Sequence, residues 1–196
     1  MKKERIEWIR SKCVDTTDNT LKRVLLIGDS ITDGYFDAVS KKLWGIVHVD
    51  YLATSYAVDS KIYNVLIKSF IKDSKYDVIH FNHGLHGKHM SVKRYKKGVL
   101  RVLDNIDVNT KLILATSTRV LKDNENVVDS TWEKKVIERN QAIKEIAGIK
   151  NCAVDDLYPI SVCMEYIHRT KDGFHYDNIG YDIFADKVSE EVKKLL

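Results

Sequence analysis

A serine follows directly after a short apolar run near the amino terminus. The run is Val24-Leu25-Leu26-Ile27, and the turn Gly28-Asp29-Ser30 ends it. The aliphatic residues predict a buried strand, and the residues after Ser30 open a helical pattern. Ligands of open α/β sheets bind at such strand ends, where the next helix directs its amide N–H groups. The spacing predicts Ser30 as a nucleophile and Asp29 as a substrate-binding residue, although such a serine also serves as a plain helix N-cap.

A histidine and an aspartate near the carboxyl terminus supply the partners that a serine nucleophile needs. They lie in Asp172-Gly173-Phe174-His175, just before the last predicted helix. We predict that His175 takes the proton of the Ser30 hydroxyl and returns it to the leaving group, while Asp172 holds the imidazole in the required tautomer. Taken alone, Asp172 is a turn residue, because Asp-Gly is a common turn dipeptide. Together the three side chains predict nucleophilic catalysis.

Polar loops after two further predicted strands contribute to the same crevice. Asn82 follows the third strand, and we predict that its amide N–H and the Ser30 backbone N–H stabilise an oxyanion. In the same loop, His83 is a predicted part of the pocket wall. Arg119 follows the fourth strand and is predicted to bind a polar part of the substrate, the alternative being a solvated loop.

These segments resemble three sequence blocks of the SGNH/GDSL hydrolases, in the order that the family has them. The blocks are Gly28-Asp29-Ser30-Ile31-Thr32, the segment around Asn82, and Asp172-Gly173-Phe174-His175. The Asn-x-Gly-Leu-His form of the middle block is similar to a bacterial subgroup of that superfamily. The resemblance implies a flavodoxin-like sandwich, no metal or other cofactor, and ester hydrolysis through an acyl-serine intermediate. It assigns Ser30, Asn82, His175 and Asp172 the roles given above.

The chain departs from that family pattern after the second predicted strand. The family usually has a glycine there, whose N–H is a third oxyanion donor, whereas this chain has Ala53-Thr54-Ser55-Tyr56-Ala57-Val58. A backbone N–H does not require glycine, so Tyr56 or Ala57 is predicted to donate in its place. The ring of Tyr56 is also placed to stack on a sugar. Loss of one oxyanion donor costs about 3 kcal/mol of transition-state stabilisation.

Four histidines at every third position suggest a competing chemistry. His80, His83, His86 and His89 straddle a strand end and a glycine-containing loop. Four imidazoles can bind zinc, which would make the protein a metal hydrolase. The run lacks the usual paired ligand spacings, and no regular element places all four on one side. We therefore predict no metal site, with the metal hydrolase kept as a lesser alternative.

Strands and helices alternate along the chain with short connections. The predicted strands are 24–27, 46–51, 76–81, 111–115 and 152–155. This pattern predicts one domain over residues 1–196, folded as a three-layer α/β/α sandwich around a parallel five-stranded sheet. A flavodoxin-like strand order of 2-1-3-4-5 brings the ends of the first three strands to one crevice.

Several local expectations accompany this fold. Apolar spacing predicts a helix over residues 4–13, and a helix from residue 60 with Ile62, Val65, Leu66 and Phe70 inward. The polar segment 116–129 is predicted to be a strand-free, mobile flap over the site. Ser130-Thr131-Trp132-Glu133 is predicted to be a capping box that opens the next helix.

Composition limits the compartment and the partners. The 196 residues carry a net charge of only +4, and the basic residues between 88 and 101 suit a solvated helix face, so nucleic acid is not a predicted partner. No apolar run reaches the roughly 18 residues of a membrane span, and the charged start lacks a secretory apolar region. Three cysteines without metal-like spacing suit free thiols. These features predict a cytoplasmic protein that acts on a small-molecule ester, without membrane association.

The sequence thus predicts a serine esterase that removes a short acyl group, most simply acetyl, from a polar or carbohydrate substrate. A catalytically silent carbohydrate-binding module on the same fold is the main alternative, and the absent glycine favours it. Acyl transfer instead of hydrolysis also remains open, because both reactions share the acyl-serine and differ only in the acceptor.

Overall fold

The computed structural model describes residues 3–196 and contains one mixed sheet; Met1 and Lys2, at the start of the charged amino-terminal stretch, lie outside the described residues. The strands are β1 (Ile9–Lys12), β2 (Lys22–Gly28), β3 (Val47–Thr54), β4 (Val78–Phe81), β5 (Lys111–Ala115) and β6 (Ala153–Asp155). They lie in the order β1-β3-β2-β4-β5-β6, with β1 antiparallel to β3 and all other neighbours parallel. The five parallel strands therefore have the predicted order.

Helices cover both faces of the sheet because alternate strand side chains point to opposite sides. The helices are α1 (Ser30–Lys42), α2 (Lys61–Asp73), α3 (Val92–Leu103), α4 (Ser130–Lys150), α5 (Leu157–Cys163) and α6 (Asn178–Lys193), with a 3₁₀ turn at Tyr166–His168. One buried cluster joins Leu25, Ile27 and Phe81 to α2, α3 and α4. The other joins Val24 and Leu26 to α1, α5 and α6. The predicted three-layer α/β/α sandwich is confirmed.

None of the helices within residues 3–196 combines the length and the apolar character that crossing a membrane requires.

Residues 9–12 form a strand, so the predicted helix over residues 4–13 is wrong. Ile9 lies opposite Thr54 in the antiparallel pairing of β1 with β3. Ile6 and Ile9, which suggested a helix, remain 61% and 46% exposed. The free edge of β3 offers a row of unpaired N–H and C=O groups. Hydrogen bonding to this edge outweighs the helical propensity of residues 4–13, because a helix there would bury little apolar surface. The sheet therefore gains a sixth strand.

The segment 116–129 contains no strand, as predicted, but its hydrogen bonds and burial anchor it to its surroundings instead of leaving it as a loose flap over the site. Leu121 and Val128 form an isolated antiparallel bridge, and Val120 is completely buried. The Leu121 N–H donates to the Gly173 carbonyl at 2.9 Å. The segment therefore supports the loop that carries Asp172 and His175.

Helix α4 starts at Ser130, and its N-cap is Asp129 rather than the predicted Ser130. The Asp129 carboxylate accepts hydrogen bonds from two amides of the first turn, one of them that of Trp132 at 3.1 Å. Glu133 does not complete a capping box, because its carboxylate accepts from Arg119 at 3.0 Å. An aspartate satisfies the free amides of a helix start as well as a serine does, which is why the prediction missed by one residue.

Candidate active site

Ser30 is the first residue of α1 and lies at the carboxyl end of β2. The Asp29 carboxylate caps this helix by accepting the Ile31 N–H at 2.9 Å. A Cβ at Gly28 would stand 1.9 Å from Thr32 Oγ1, so the tight strand-to-helix turn requires glycine. The first N–H groups of a helix have no partner within the helix, which leaves the Ser30 N–H available to an oxyanion.

The structure brings the predicted nucleophile, base and orienting acid into one hydrogen-bonded chain. His175 Nε2 lies 2.8 Å from Ser30 Oγ. On the other side of the ring, His175 Nδ1 lies 2.6 Å from Asp172 Oδ2. Both distances are those of direct hydrogen bonds, and the order of atoms is the one that proton transfer from a serine requires. Ser30 and His175 are 145 positions apart in the sequence, yet together with Asp172 they have the geometry of a catalytic triad.

The loop before α6 fixes the Asp172 carboxylate. Asp172 Oδ1 accepts hydrogen bonds from the Phe174 N–H at 2.8 Å, the His175 N–H at 3.0 Å and the Thr170 hydroxyl at 2.7 Å. Partial burial by itself raises the pKa of Asp172, but these bonds and the His175 ring lower it far below its usual value. Asp172 therefore stays ionised at neutral pH and holds the Nδ1 proton of His175.

Asn82 lies at the carboxyl end of β4, next to β2. Its backbone N–H donates to the Ile27 carbonyl at 2.8 Å, and its side-chain amide donates to the Thr116 carbonyl at 3.0 Å. The residue is only 2% exposed. A side-chain amide has two N–H groups, so the second one remains for an oxyanion beside the Ser30 N–H.

Replacing Asn82 with alanine is expected to lower kcat about 10²- to 10³-fold, because one of the oxyanion donors is lost. Loss of the bond to Thr116 should lower the free energy of unfolding by only about 1 kcal/mol. Ester hydrolysis measured per active site, together with thermal melting, separates the two effects. A variant with unchanged kcat would remove Asn82 from the catalytic machinery.

A cleft of about 450 Å³ opens beside Ser30 and is predominantly apolar. Its lining residues come from the amino-terminal segment, the β2–α1 turn, the loop after β4, the start of α4 and the loop before α6: Glu4, Arg5, Asp29, Ser30, Ile31, Leu85, His86, Lys88, Trp132, Phe174 and His175. Asp29 is thus the one predicted substrate-binding residue that lines this cleft, and its carboxylate also serves as the helix cap.

Two aromatic side chains form a corner of the cleft. The rings of Trp132 and Phe174 meet edge to face with centroids 5.4 Å apart. Lys88 Nζ lies 4.5 Å from the centroid of the Trp132 ring. The sequence pattern assigns Trp132 only to a capping box and gives Phe174 no role. The position of Phe174, between the predicted acid and base of the triad, was the available signal.

The other predicted binding residues do not line this cleft. Ala57 lines a smaller neighbouring cavity of about 190 Å³. The Tyr56 N–H donates to Thr54 Oγ1 at 3.2 Å, so it is committed within its own turn. His83 is buried against the Tyr63 ring, with centroids 4.5 Å apart. Arg119 bonds to Glu133 and Tyr158 outside the cleft. All four residues follow the carboxyl ends of strands, as the sequence predicts, but none of them is among the lining residues of the cleft beside Ser30.

The four histidines at every third position have separate surroundings. Their neighbours are Asp155 for His80, the Tyr63 ring for His83, Glu4 for His86 and Asp59 for His89. Over residues 3–196, no group of three or more His, Cys, Asp or Glu side chains is arranged to hold a metal ion. Burial and the nearby positive charges of His86 and Arg139 lower the pKa of His83 well below its usual value, so its ring is neutral.

The amino-terminal segment reaches the rim of the cleft through Glu4. Glu4 Oε1 lies 2.8 Å from His86 Nδ1. Burial alone lowers the pKa of His86, but the hydrogen bond to Glu4 and the charges of Asp29, Glu4 and Glu7 outweigh it and raise that pKa. Burial raises the pKa of Glu4, yet the contacts with His86 lower it overall.

This pair predicts a pH-dependent attachment of the segment. The folded pKa of His86 is raised, so its contribution to the free energy of unfolding is complete below the unfolded pKa of about 6.5. That contribution is lost as pH rises through the folded pKa. Because the pKa of Glu4 is lowered, its contribution is complete above about 4.5 and is lost as pH falls through the folded value. Glu4→Gln should therefore lower the melting temperature more at pH 5.5 than at pH 9. The loss in free energy of unfolding is below about 1 kcal/mol because Glu4 is partly exposed to solvent. Equal shifts of the melting temperature at both pH values would contradict the pH-dependent attachment.

Comparison with known proteins identifies the fold. Neither a protein-family model nor a curated protein sequence matches the chain. A GDSL-like lipase from Bacteroides thetaiotaomicron superposes with a TM-score of 0.69 at 18% identity, over 89% of each chain. A carbohydrate acetylesterase from Sinorhizobium meliloti gives 0.70 at 13% identity, over 89% of this chain and 100% of that one. The C-terminal catalytic domain of peptidoglycan O-acetyltransferase A from Streptococcus pneumoniae gives 0.68 at 15% identity, over 89% and 94%. The chain therefore has the fold of the SGNH/GDSL hydrolases, as the sequence resemblance implied.

Proposed function

We propose that the protein is a serine esterase that hydrolyses a short acyl ester of a polar or carbohydrate substrate. Ser30 Oγ attacks the ester carbonyl while its proton passes to His175 Nε2. The tetrahedral oxyanion accepts hydrogen bonds from the Ser30 N–H and the Asn82 amide. As the C–O bond breaks, His175 returns the proton to the alcohol. Water then attacks the acyl-serine, His175 takes its proton, and the carboxylic acid leaves as Ser30 regains its hydrogen.

The observation that carries this proposal is the unbroken chain of hydrogen bonds from Ser30 through His175 to Asp172. A serine that acts only as a helix cap has no need of an imidazole at 2.8 Å. In this protein the cap is Asp29, so the Ser30 side chain is left for chemistry. The hydrogen-bonded carboxylate at the other ring nitrogen supports the tautomer that a general base requires.

The choice of acyl group and alcohol rests on the cleft and on the related structures. Solved structures with this fold include the carbohydrate acetylesterase and the O-acetyltransferase domain named above. The aromatic corner of Trp132 and Phe174 offers flat apolar surface of the kind that lines small-molecule sites, with charged groups at the rim. Both features support a small acyl group on a larger polar alcohol.

A panel of esters tests the proposal. Turnover of p-nitrophenyl esters from acetyl to octanoyl, and release of acetate from acetylated oligosaccharides, should be measured with wild type and Ser30→Ala. We expect the highest kcat/KM for acetyl esters and no turnover above background in the variant. A preference for octanoyl would overturn the short-acyl assignment, and turnover by Ser30→Ala would overturn the mechanism.

A catalytically silent binding module is the second function that a specific observation favours. The family's additional oxyanion glycine is missing, and of the two N–H groups predicted to replace it, those of Tyr56 and Ala57, that of Tyr56 is bonded to Thr54. A fluorophosphonate separates the two functions, because it forms a covalent adduct only with an activated serine. Mass spectrometry should find one adduct on wild type, at Ser30, and none on Ser30→Ala. An unlabelled wild type would favour the silent module.

A further inference from the structure

Arg139 of α4 is a fully buried cation whose hydrogen bonds go to backbone carbonyls alone. It is 1% exposed, and its guanidinium donates to the carbonyls of Gly84, His86 (2.9 Å) and Gly87 (2.7 Å). Its Cζ also lies 4.8 Å from the centroid of the Tyr95 ring. Within residues 3–196 the guanidinium forms no salt bridge, although buried charges are ordinarily paired with an opposite charge. Three carbonyl dipoles and one aromatic face take the place of a carboxylate.

The carbonyls that Arg139 holds belong to one short loop, residues 84–87. Leu85 and His86, in the middle of this loop, line the cleft beside Ser30. At the start of the loop, a Cβ on Gly84 would stand 1.2 Å from Ser117 Oγ, so the backbone there is pressed against its neighbour. The loop has further contacts, since Leu85 packs with Val120 and Val136 and His86 bonds to Glu4. Among the described residues, however, Arg139 is the one side chain that bonds three of the four loop carbonyls.

A guanidinium suits this task because its donors form a rigid planar fork. One fork that bonds three carbonyls fixes the relative orientation of three peptide groups. The side chains between those peptide groups then have fixed directions. A lysine has three donors on a single nitrogen at the end of a flexible stem, so it cannot hold three separate carbonyls equally well.

We propose that Arg139 is a positioning residue for substrate binding: it holds loop 84–87 so that Leu85 and His86 form one wall of the cleft. The inference rests on the esterase function proposed above, since that function makes the cleft a substrate site. Arg139 does not contact the triad, so the proposal concerns KM rather than the chemical step.

Arg139→Met and Arg139→Lys test the proposal through the division of the effect between KM and kcat. With p-nitrophenyl acetate we expect Arg139→Met to raise KM about tenfold, while kcat per fluorophosphonate-titrated site stays within about threefold of wild type. Arg139→Lys should give an intermediate KM. A merely structural role would lower the fraction of titratable sites and the melting temperature and leave KM unchanged, and that result would overturn the proposal.

Arg23 offers a matched control because it is the other arginine that is at least nine-tenths buried among the described residues. It lies at the amino end of β2, opposite to Ser30, and pairs with Asp50 at 3.0 Å. Arg23→Met should lower the melting temperature with no change in KM. A rise in KM in this control equal to that of Arg139→Met would show that any loss of a buried arginine disturbs the cleft, and would overturn the proposal.

Amide hydrogen exchange reports on the loop without any turnover. Exchange at residues 85–88 should be faster in Arg139→Met than in wild type and unchanged in Arg23→Met. Unaltered exchange in Arg139→Met would overturn the role of the guanidinium. If wild type shows no turnover that depends on Ser30, the proposed esterase function is wrong. Faster exchange in Arg139→Met would still show that Arg139 holds loop 84–87, so failure of the esterase function and failure of the positioning role are distinguishable.

Discussion

Ser30→Ala is expected to abolish hydrolysis of p-nitrophenyl acetate, with kcat at least about 10⁴-fold lower than in wild type. The hydroxyl is the group that attacks the ester and forms the acyl-enzyme, and it is the group that donates its proton to His175 Nε2. The change removes one oxygen from a partly exposed position at the start of α1, and Asp29 still caps the helix. The fold should therefore be retained, which circular dichroism and thermal melting can check.

Ser69→Ala is the matched control for this experiment. Ser69 is an exposed serine of α2 whose hydroxyl donates only to a carbonyl of its own helix. It should keep the activity of wild type. A Ser30→Ala protein that retains more than a few per cent of wild-type turnover would show that the hydrolysis comes from another group, and the triad would lose its assigned role.

Asp172→Asn should lower kcat about 10³- to 10⁴-fold and leave KM nearly unchanged. The amide oxygen can still accept the Phe174 and His175 N–H groups, so the loop keeps its main bonds. The amide nitrogen then faces His175 Nδ1 and can only donate to it. The imidazole is forced into the tautomer that carries its proton on Nε2, and that nitrogen cannot accept the proton of Ser30.

Two measurements distinguish this tautomer effect from a general loss of structure. The crystal structure of Asp172→Asn should keep His175 within hydrogen-bonding distance of Ser30 Oγ. The control variant Asp156→Asn changes a partly exposed carboxylate that bonds to Thr116 and Lys144 away from the triad, and its kcat should match wild type. Equal losses in the two variants would argue against a specific role for Asp172.

The sheet and the positions of the reacting residues could be predicted because they depend on local patterns. Apolar runs that end in polar turns located the five parallel strands, and their order is that of the flavodoxin-like sandwich that the family resemblance implies. Ser30 and Asn82 each follow such a strand, and Asp172 and His175 lie in the loop before α6, so the topology brings them to one edge. The residue types at these positions then limited the predicted chemistry to nucleophilic catalysis by a serine.

Features that depend on tertiary packing could not be predicted in the same way. The inward face of α2 was expected at Ile62 and Val65, which are 42% and 66% exposed, whereas Tyr63 and Ile67 are buried. Aromatic and aliphatic residues occur on several sides of this helix, so the spacing alone did not fix its rotation. The walls of the cleft were missed for a related reason, because five segments far apart in the chain contribute to them.

The additional strand β1 affects how well the folded protein resists aggregation. β1 occupies the side of β3 that five parallel strands would leave open, and it presents the charged side chains of Arg10 and Lys12 to solvent. Short edge strands that carry charged side chains resist pairing with the strands of other chains. At the opposite end, β6 has only three residues. Loss of β1 would bare the length of β3 as a template for intermolecular strand addition, so aggregation would rise although Ser30, Asp172 and His175 were all still present.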